Sequence, residues 1–161
     1  MSEDYVDFLL RQYRLMDALW FLAVEDEFGL EHAVRLNEIV WEEMGGRSAR
    51  EIKKRFKIDE KGLEGFEKAM KLFPWCRILG YEFERQEDRL VIKVKNCLPQ
   101  TARIKSGRVV FPCKGMHLRE FIAFAKEIDE RIEVKCLYAP PEMKENFCEW
   151  EFRIQKTSVS K

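Results

Sequence analysis

Four of the five cysteines lie in the last 65 residues, and they are the side chains best suited to chemistry. They are Cys97, Cys113, Cys136 and Cys148, separated by 15, 22 and 11 residues. Four thiolates suit Zn²⁺ or an iron–sulfur cluster, because soft sulfur ligands favour both. The short C-x₂₋₄-C pairs that preorganise half of such a site are absent from the sequence. The spacing therefore leaves three alternatives open, namely a metal site, a reactive thiol and packing in the core.

Cys113 is the best candidate for a thiol nucleophile. It comes just before a predicted helix, next to Lys114 and within reach of His117. A helix N-terminus and a neighbouring cation both lower the pKa of a thiol. The pattern gives one alternative function, the hydrolysis of a small cyclic amide or thioester with Cys113 as the catalytic residue. In the other interpretation, Lys114 and His117 are exposed residues of the first helical turn.

Apolar spacing in the N-terminal half predicts two helices. A stripe over residues 4–27 predicts a long, heavily buried first helix with Gly29 as its C-terminal cap. The stripe comprises Tyr5, Phe8, Leu9, Met16, Leu19, Trp20, Ala23 and Val24. A second helix is predicted over residues 30–44.

Gly45-Gly46 is expected to break the second helix. Ser48 then begins a short helix that ends near Phe56, and a further helix over 59–73 is expected to end before a proline. The pair of short helices within residues 48–73 resembles a helix-turn-helix. A transcriptional regulator is therefore another alternative function.

The pattern changes after Trp75 to the alternation typical of strands. Strands are predicted at 81–85, 90–95, 108–111, 131–138 and 147–154, with one helix over 116–128. The predicted class is α+β, with three to four N-terminal helices packed on an antiparallel sheet of four to five strands in the order ααα-βββ-α-ββ. In the last hairpin, Cys136 and Cys148 are expected to be cross-strand neighbours.

We expect one domain, with a helical half over 1–74, a sheet-forming half over 78–155 and a frayed tail over 156–161. The 161 residues are 46% hydrophobic, with only five prolines and eight glycines, which excludes disordered and low-complexity classes. No stretch approaches 18 consecutive apolar residues, and the N-terminus is acidic. The expected location is the cytoplasm, without a membrane partner and with reduced cysteines.

Charge is balanced overall, with 29 basic and 29 acidic residues, but it is divided along the chain. Residues 1–31 hold eight acidic and two basic residues, whereas residues 89–119 hold eight basic residues and no acidic one. Either the basic run neutralises the acidic N-terminal helix, or it forms a surface for an anionic ligand. An isoelectric point near 6.8 makes nucleic acid an unexpected partner.

The leading prediction is a protein that binds a small molecule, in a pocket between the N-terminal helices and the sheet. The predicted ligand-binding residues are Trp20, Glu25, Asn37, Trp41, Arg103, Lys105, Lys114 and Trp150. A metal site formed by Cys97, Cys113, Cys136 and Cys148 would hold zinc or an iron–sulfur cluster. For Asn37 the alternative is a structural hydrogen bond between helices. The aromatic N-terminal helices also leave room for a homodimer face.

Four segments of the sequence carry a resemblance to known proteins. They are W-F-L-A-V-E-D-E-F-G-L-E-H-A-V-R-L-N-E-I-V-W over 20–41, C-x-P-Q-x-A-R-x-K-x-G-x(3)-F-P-C-K over 97–114, F-A-x-x-I-D over 124–129 and C-x(3)-P-P…C-x-W-E-F over 136–152. The chain resembles a family of archaeal and bacterial cytosolic proteins that is similar to the aminothiazoline-carboxylate hydrolase-like proteins. Its C-terminal half resembles the vinyl-reductase type of ligand-sensing domain. The resemblance implies helices followed by an antiparallel sheet, as in trafficking-complex and vinyl-reductase-type domains, and a small-molecule or metal role for the cysteines.

Overall fold

The computed structural model describes residues 2–155, which form six helices and one four-stranded sheet. The helices are α1 (Glu3–Phe28), α2 (Leu30–Phe56), α3 (Gly62–Lys71), α4 (Pro74–Leu79), α5 (Leu98–Lys105) and α6 (Lys114–Ile128). The strands are β1 (Glu82–Arg85), β2 (Arg89–Val94), β3 (Ile132–Tyr138) and β4 (Cys148–Ile154). The predicted α+β class, with helices first and an antiparallel sheet after them, is confirmed. The predicted frayed tail over 156–161 lies outside the described residues.

The sheet is antiparallel throughout, in the order β1-β2-β4-β3. In this register Cys136 lies opposite Trp150, whereas Cys148 lies opposite Val94 on the other neighbouring strand. Cys136 and Cys148 are therefore diagonal neighbours on paired strands and are not directly opposite each other. The pairing of β3 with β4 offsets them by two residues, and a register shift follows Cys136.

The hydrophobic core lies between the sheet and the helices α2, α3 and α6. Its centre is a group of buried aromatic rings, in which Phe66 and Phe152 lie 4.4 Å apart and Phe121 and Trp150 lie 5.2 Å apart between ring centroids. Pairs at such distances add roughly 0.5–1.5 kcal/mol beyond the burial of their area. This core fixes α6 on the sheet, and α6 also carries part of the candidate site.

Helix α2 continues unbroken through Gly45 and Gly46, so the predicted break is wrong. Gly45 allows close packing instead, because a Cβ atom at this position would lie 2.5 Å from the backbone oxygen of Glu120 in α6. Residues 48–56 are thus the last third of α2 and not a separate short helix. The segment predicted over 48–73 as two short helices is therefore the end of the long helix α2, a connection over 57–61 and α3.

Residues 98–105, expected to belong to a connection between strands, form α5. Pro99 lies in its first turn, where the missing N–H would have no partner within the helix. The third strand predicted at 108–111 does not form. The side chain of Gln100 instead accepts from the backbone N of Phe111 at 3.0 Å and donates to its carbonyl oxygen at 2.6 Å. Those backbone groups are therefore bound by α5 and not by a neighbouring strand.

Helix α1 is capped by Gly29 as predicted, but it is not heavily buried, and most of the predicted apolar stripe is on its exposed side. Eight large apolar side chains of α1 are 42–67% exposed. They are Tyr5, Phe8, Leu9, Leu15, Met16, Leu19, Trp20 and Phe28. The opposite side, with the half-buried Tyr13 and Phe21, packs against the other helices. Because α1 is apolar on both sides, periodicity alone does not indicate which side is buried. No helix within residues 2–155 is long and apolar enough to cross a membrane.

Candidate ligand-binding cavity

A cavity of about 590 Å³ lies among α1, α2, α4, α5 and α6. Most of its wall is apolar. The apolar lining residues are Leu15, Ala18, Phe21, Leu22, Trp41, Trp75, Leu79, Leu98, Pro99, Ala102, Phe111 and Met116. Pockets for small molecules typically have volumes of roughly 300–1,000 Å³ and mainly apolar linings. The cavity therefore has the size and surface of a small-molecule site.

Acidic side chains and one histidine from α1 and α6 also line the cavity. Glu120 is 1% exposed, and its Oε2 accepts from Nδ1 of His117 at 2.7 Å. On α1, Oδ1 of Asp17 accepts from Nε1 of Trp41 at 3.2 Å. Within residues 2–155 neither carboxyl group forms an ion pair with a lysine or an arginine. The cavity wall thus carries two carboxyl groups that pair with no lysine or arginine among the described residues, and one of them, Glu120, is bound to His117.

The environment of Asp17 disfavours its charge. Burial raises the pKa of this carboxyl group from its ordinary 3.8 to about 6, the hydrogen bond from Trp41 opposes the rise, and the neighbouring Glu120 adds to it. Carboxyl groups with raised pKa values in clefts are typical of functional sites, although ion-pair networks also perturb pKa values. No such network surrounds Asp17 in the part of the chain that the structure describes.

Basic side chains reach the cavity lining from α5 and the turn after it. The guanidinium of Arg103 donates to both carboxylate oxygens of Glu25, at 2.6 and 2.9 Å, and to the carbonyl oxygen of Val109 at 3.0 Å. These bonds from Arg103 lower the pKa of Glu25. Arg108 binds Asp26 at 2.7 Å. Here the basic run does neutralise the acidic N-terminal helix, which was one of the two predicted alternatives.

The structure brings together four of the eight predicted ligand-binding residues, Asn37, Trp41, Arg103 and Lys105, all of which line the cavity. The predicted position between the N-terminal helices and the sheet is wrong, because α6 packs against both α2 and β3 and separates them. The cavity lies between helices instead.

The other four predicted ligand-binding residues lie elsewhere. Trp20 is 67% exposed on the outer side of α1, and Trp150 is 0% exposed in the core. Glu25 is held by Arg103, and Lys114 is exposed at the start of α6 without lining the cavity. None of these four side chains forms part of the cavity wall.

The cysteines are all free, and two of them, Cys97 and Cys113, line the cavity. Burial strongly raises the pKa of Cys113, with a further contribution from the thiols of Cys148 and Cys97. Burial also raises the pKa of Cys148 to about 12. Among residues 2–155 no group of three or more His, Cys, Asp or Glu side chains could hold a metal ion. The structure therefore supports neither a metal site formed by Cys97, Cys113, Cys136 and Cys148 nor an activated thiol at Cys113.

We expect Cys97 to react slowly with iodoacetamide near neutral pH. Burial raises the pKa of this thiol to about 11, so that roughly one thiol in a thousand is ionised at pH 8. The alkylation rate, followed by peptide mass spectrometry, should increase about tenfold per pH unit between pH 7 and pH 9. A pH-independent, rapid reaction at Cys97 would show that its environment stabilises the thiolate.

Asp17 and Glu120 were not predicted as site residues, although the sequence contains a signal for both. Asp17 lies between Tyr13 and Phe21 at the i, i+4 spacing of one helix side. Glu120 is next to Phe121 and three residues after His117. An acidic residue within the apolar side of a helix indicates a buried polar group that needs a partner.

The fold and the cavity define a class, an α+β protein with a ligand-sized cavity between its helices. Residues 3–154 match the family of unknown function DUF6125, and the chain belongs to this family. No curated protein matches the sequence.

Among solved structures, this chain is similar to the crystal structure of a trafficking protein particle complex subunit 3 from Naegleria fowleri covalently bound to palmitic acid. The TM-score is 0.56 and the sequence identity is 12%, with 96% of this chain and 98% of that chain covered. At this identity the likeness shows a shared fold. It agrees with the trafficking-complex fold that the sequence resemblance implied.

Proposed function

We propose that this protein binds a small molecule with a long apolar body in the cavity between α1, α2, α5 and α6. The cavity of about 590 Å³ with its mainly apolar wall carries the proposal. Protein interiors are close-packed, with few voids larger than a water molecule. This pocket is partly open to solvent, and its volume and apolar wall fit the body of a small ligand.

The similar trafficking-complex subunit supports the same proposal, because that protein is covalently bound to palmitic acid, a ligand with a long hydrocarbon chain. For this chain we propose non-covalent binding, since the raised pKa of Cys97 disfavours the thiolate that acylation would need. The resemblance to hydrolase-like proteins remains a prediction beside this proposal.

Isothermal titration calorimetry tests the proposal with three probes that share a ten-carbon chain, namely decanol, decanoic acid and decylamine. We expect at least one of them to bind at one molecule per chain. Ala18→Trp places an indole in the cavity from α1 and should abolish binding. Ala23→Trp is the matched control, because Ala23 is exposed on the same helix and does not line the cavity. If no probe binds, or if Ala18→Trp binds as the parent does, the proposal is wrong.

A second proposal concerns the exposed apolar side of α1, which we propose is covered by α1 of a second copy of this chain. A helix that is apolar all round is normally buried. Without Leu15, which lines the cavity, the seven large exposed side chains of α1 are about half exposed and together present roughly 700 Å². One partner of a standard-size interface buries about 800 Å². The trafficking-complex subunit of similar fold is likewise part of an assembly, as its description states.

Analytical ultracentrifugation tests this second proposal. The parent chain should sediment as a dimer, and both Trp20→Glu and Met16→Glu should sediment as monomers, because each places a charge at the centre of the interface. Val109→Glu is the control, since Val109 is an exposed apolar residue outside α1. A monomeric parent chain, or dimeric glutamate variants, would refute the second proposal.

A further inference from the structure

We infer that the ligand of this cavity carries a protonated amine, which lies between the carboxyl groups of Asp17 and Glu120 and against the indoles of Trp41 and Trp75. All four side chains line the cavity. The inference rests on the proposed function, because it identifies the polar end of the ligand that occupies the same space.

The first support is the charge of the cavity wall. Buried carboxyl groups are normally paired with a basic group, because an isolated buried charge is costly. Five basic side chains also line the cavity, and two of them are paired, Arg103 with Glu25 and Arg108 with Asp26. Of the other three, His117 bonds to Glu120, Arg14 is half-buried and Lys105 is exposed. His117 is the one side chain within residues 2–155 that bonds to Glu120, and Asp17 receives only the neutral indole N–H of Trp41. An ammonium group on the ligand would give the carboxyl groups of Asp17 and Glu120 a cationic partner.

The second support is the kind of cation that the site can take. A metal ion does not fit, because no group of three or more His, Cys, Asp or Glu side chains among residues 2–155 could hold one. The rings of Trp41 and Trp75 lie 5.7 Å apart between centroids, and aromatic faces attract ammonium groups. Carboxyl groups next to indole rings therefore favour an organic ammonium.

The experiment compares the affinities of decylamine and decanol, which have the same chain length and differ in the head group. Calorimetry near neutral pH should show that the parent chain binds decylamine about tenfold more tightly than decanol or better, as expected for a charged hydrogen bond in a buried site. In Asp17→Asn, and separately in Glu120→Gln, the preference for the amine should disappear while decanol still binds. Asp26→Asn is the control, because Asp26 is an exposed carboxylate of α1 outside the cavity.

The outcomes separate this inference from the proposed function. Equal affinities for amine and alcohol in the parent chain would overturn the inference and leave the proposed function standing. A preference for decylamine that persists in both Asp17→Asn and Glu120→Gln would also overturn it. Failure of all the ten-carbon probes to bind would instead overturn the proposed function itself.

Discussion

Replacing Gly45 by alanine is expected to lower the free energy of unfolding by about 2 kcal/mol. The new Cβ atom would lie 2.5 Å from the backbone oxygen of Glu120, so α2 and α6 must move apart. Overpacking against backbone that yields little costs roughly 3 kcal/mol, and the higher helix propensity of alanine offsets about 1 kcal/mol of this loss. Because Glu120 moves with α6, the affinity for decylamine should fall as well.

Gly46→Ala is a matched control for this prediction. A Cβ atom at Gly46 would lie 3.9 Å from its nearest neighbours, which is an ordinary contact distance. The alanine should therefore stabilise α2 by up to about 1 kcal/mol. Urea unfolding followed by circular dichroism at one protein concentration measures both variants. If both alanines change stability equally, the close packing of α2 on α6 at Gly45 is not as described.

Replacing Asp17 by asparagine is expected to raise the free energy of unfolding near pH 8 by up to about 3 kcal/mol. The pKa of Asp17 is raised from 3.8 to about 6 in the folded chain, and each pKa unit corresponds to about 1.4 kcal/mol. The neutral amide has the shape of the carboxyl group and still accepts from Nε1 of Trp41. Removing the buried charge should therefore stabilise the fold.

The pH dependence of this gain has a definite sign. A carboxyl group whose pKa is raised on folding stabilises the folded state below pH 3.8, and this contribution is lost as the pH rises through about 6. The advantage of Asp17→Asn should thus vanish at pH 4 and be complete above pH 7. Asp26→Asn should give no gain at any pH, because Arg108 lowers the pKa of Asp26. An Asp17→Asn variant that is less stable than the parent chain at pH 8 would contradict the described environment.

The replacement of Asp17 connects the stability of the fold with the proposed binding site. The buried charge of Asp17 destabilises the folded chain without ligand at neutral pH. The asparagine amide has the same shape as the carboxyl group and would pack equally well. A side chain that lowers stability in a ligand-sized cavity is typical of functional sites. Asp17→Asn should therefore gain stability and lose the preference for an amine.

Most of the fold follows from local patterns in the sequence. The 3.6-residue spacing locates α1 and α6, and Gly29 ends α1 as expected. The alternation over 81–95 gives the hairpin of β1 and β2. The errors occur where tertiary packing overrides a local preference. Gly45 and Gly46 look like helix breakers, but α2 continues through both, and Gly45 allows α2 to approach α6, a contact that the sequence alone does not reveal.

The candidate site was predicted less completely than the fold. Trp41 and Asn37 were identified because both lie on the apolar side of α2, where Asn37 is a polar residue among apolar ones. The proximity of Asp17 to Glu120 depends on where the fold places α1 relative to α6, and 85 residues of chain lie between these two helices. Of the five cysteines, Cys76, Cys113 and Cys148 are buried in the core, and Cys97 and Cys136 are partly buried against it.

The most direct test of the central claim is a crystal structure of the chain with decylamine. We expect the hydrocarbon chain to lie in the cavity between α1, α2, α5 and α6. The nitrogen should lie within hydrogen-bond distance of the carboxyl groups of Asp17 and Glu120. A ligand bound only on the exposed side of α1, with the cavity unoccupied or closed, would contradict the claim.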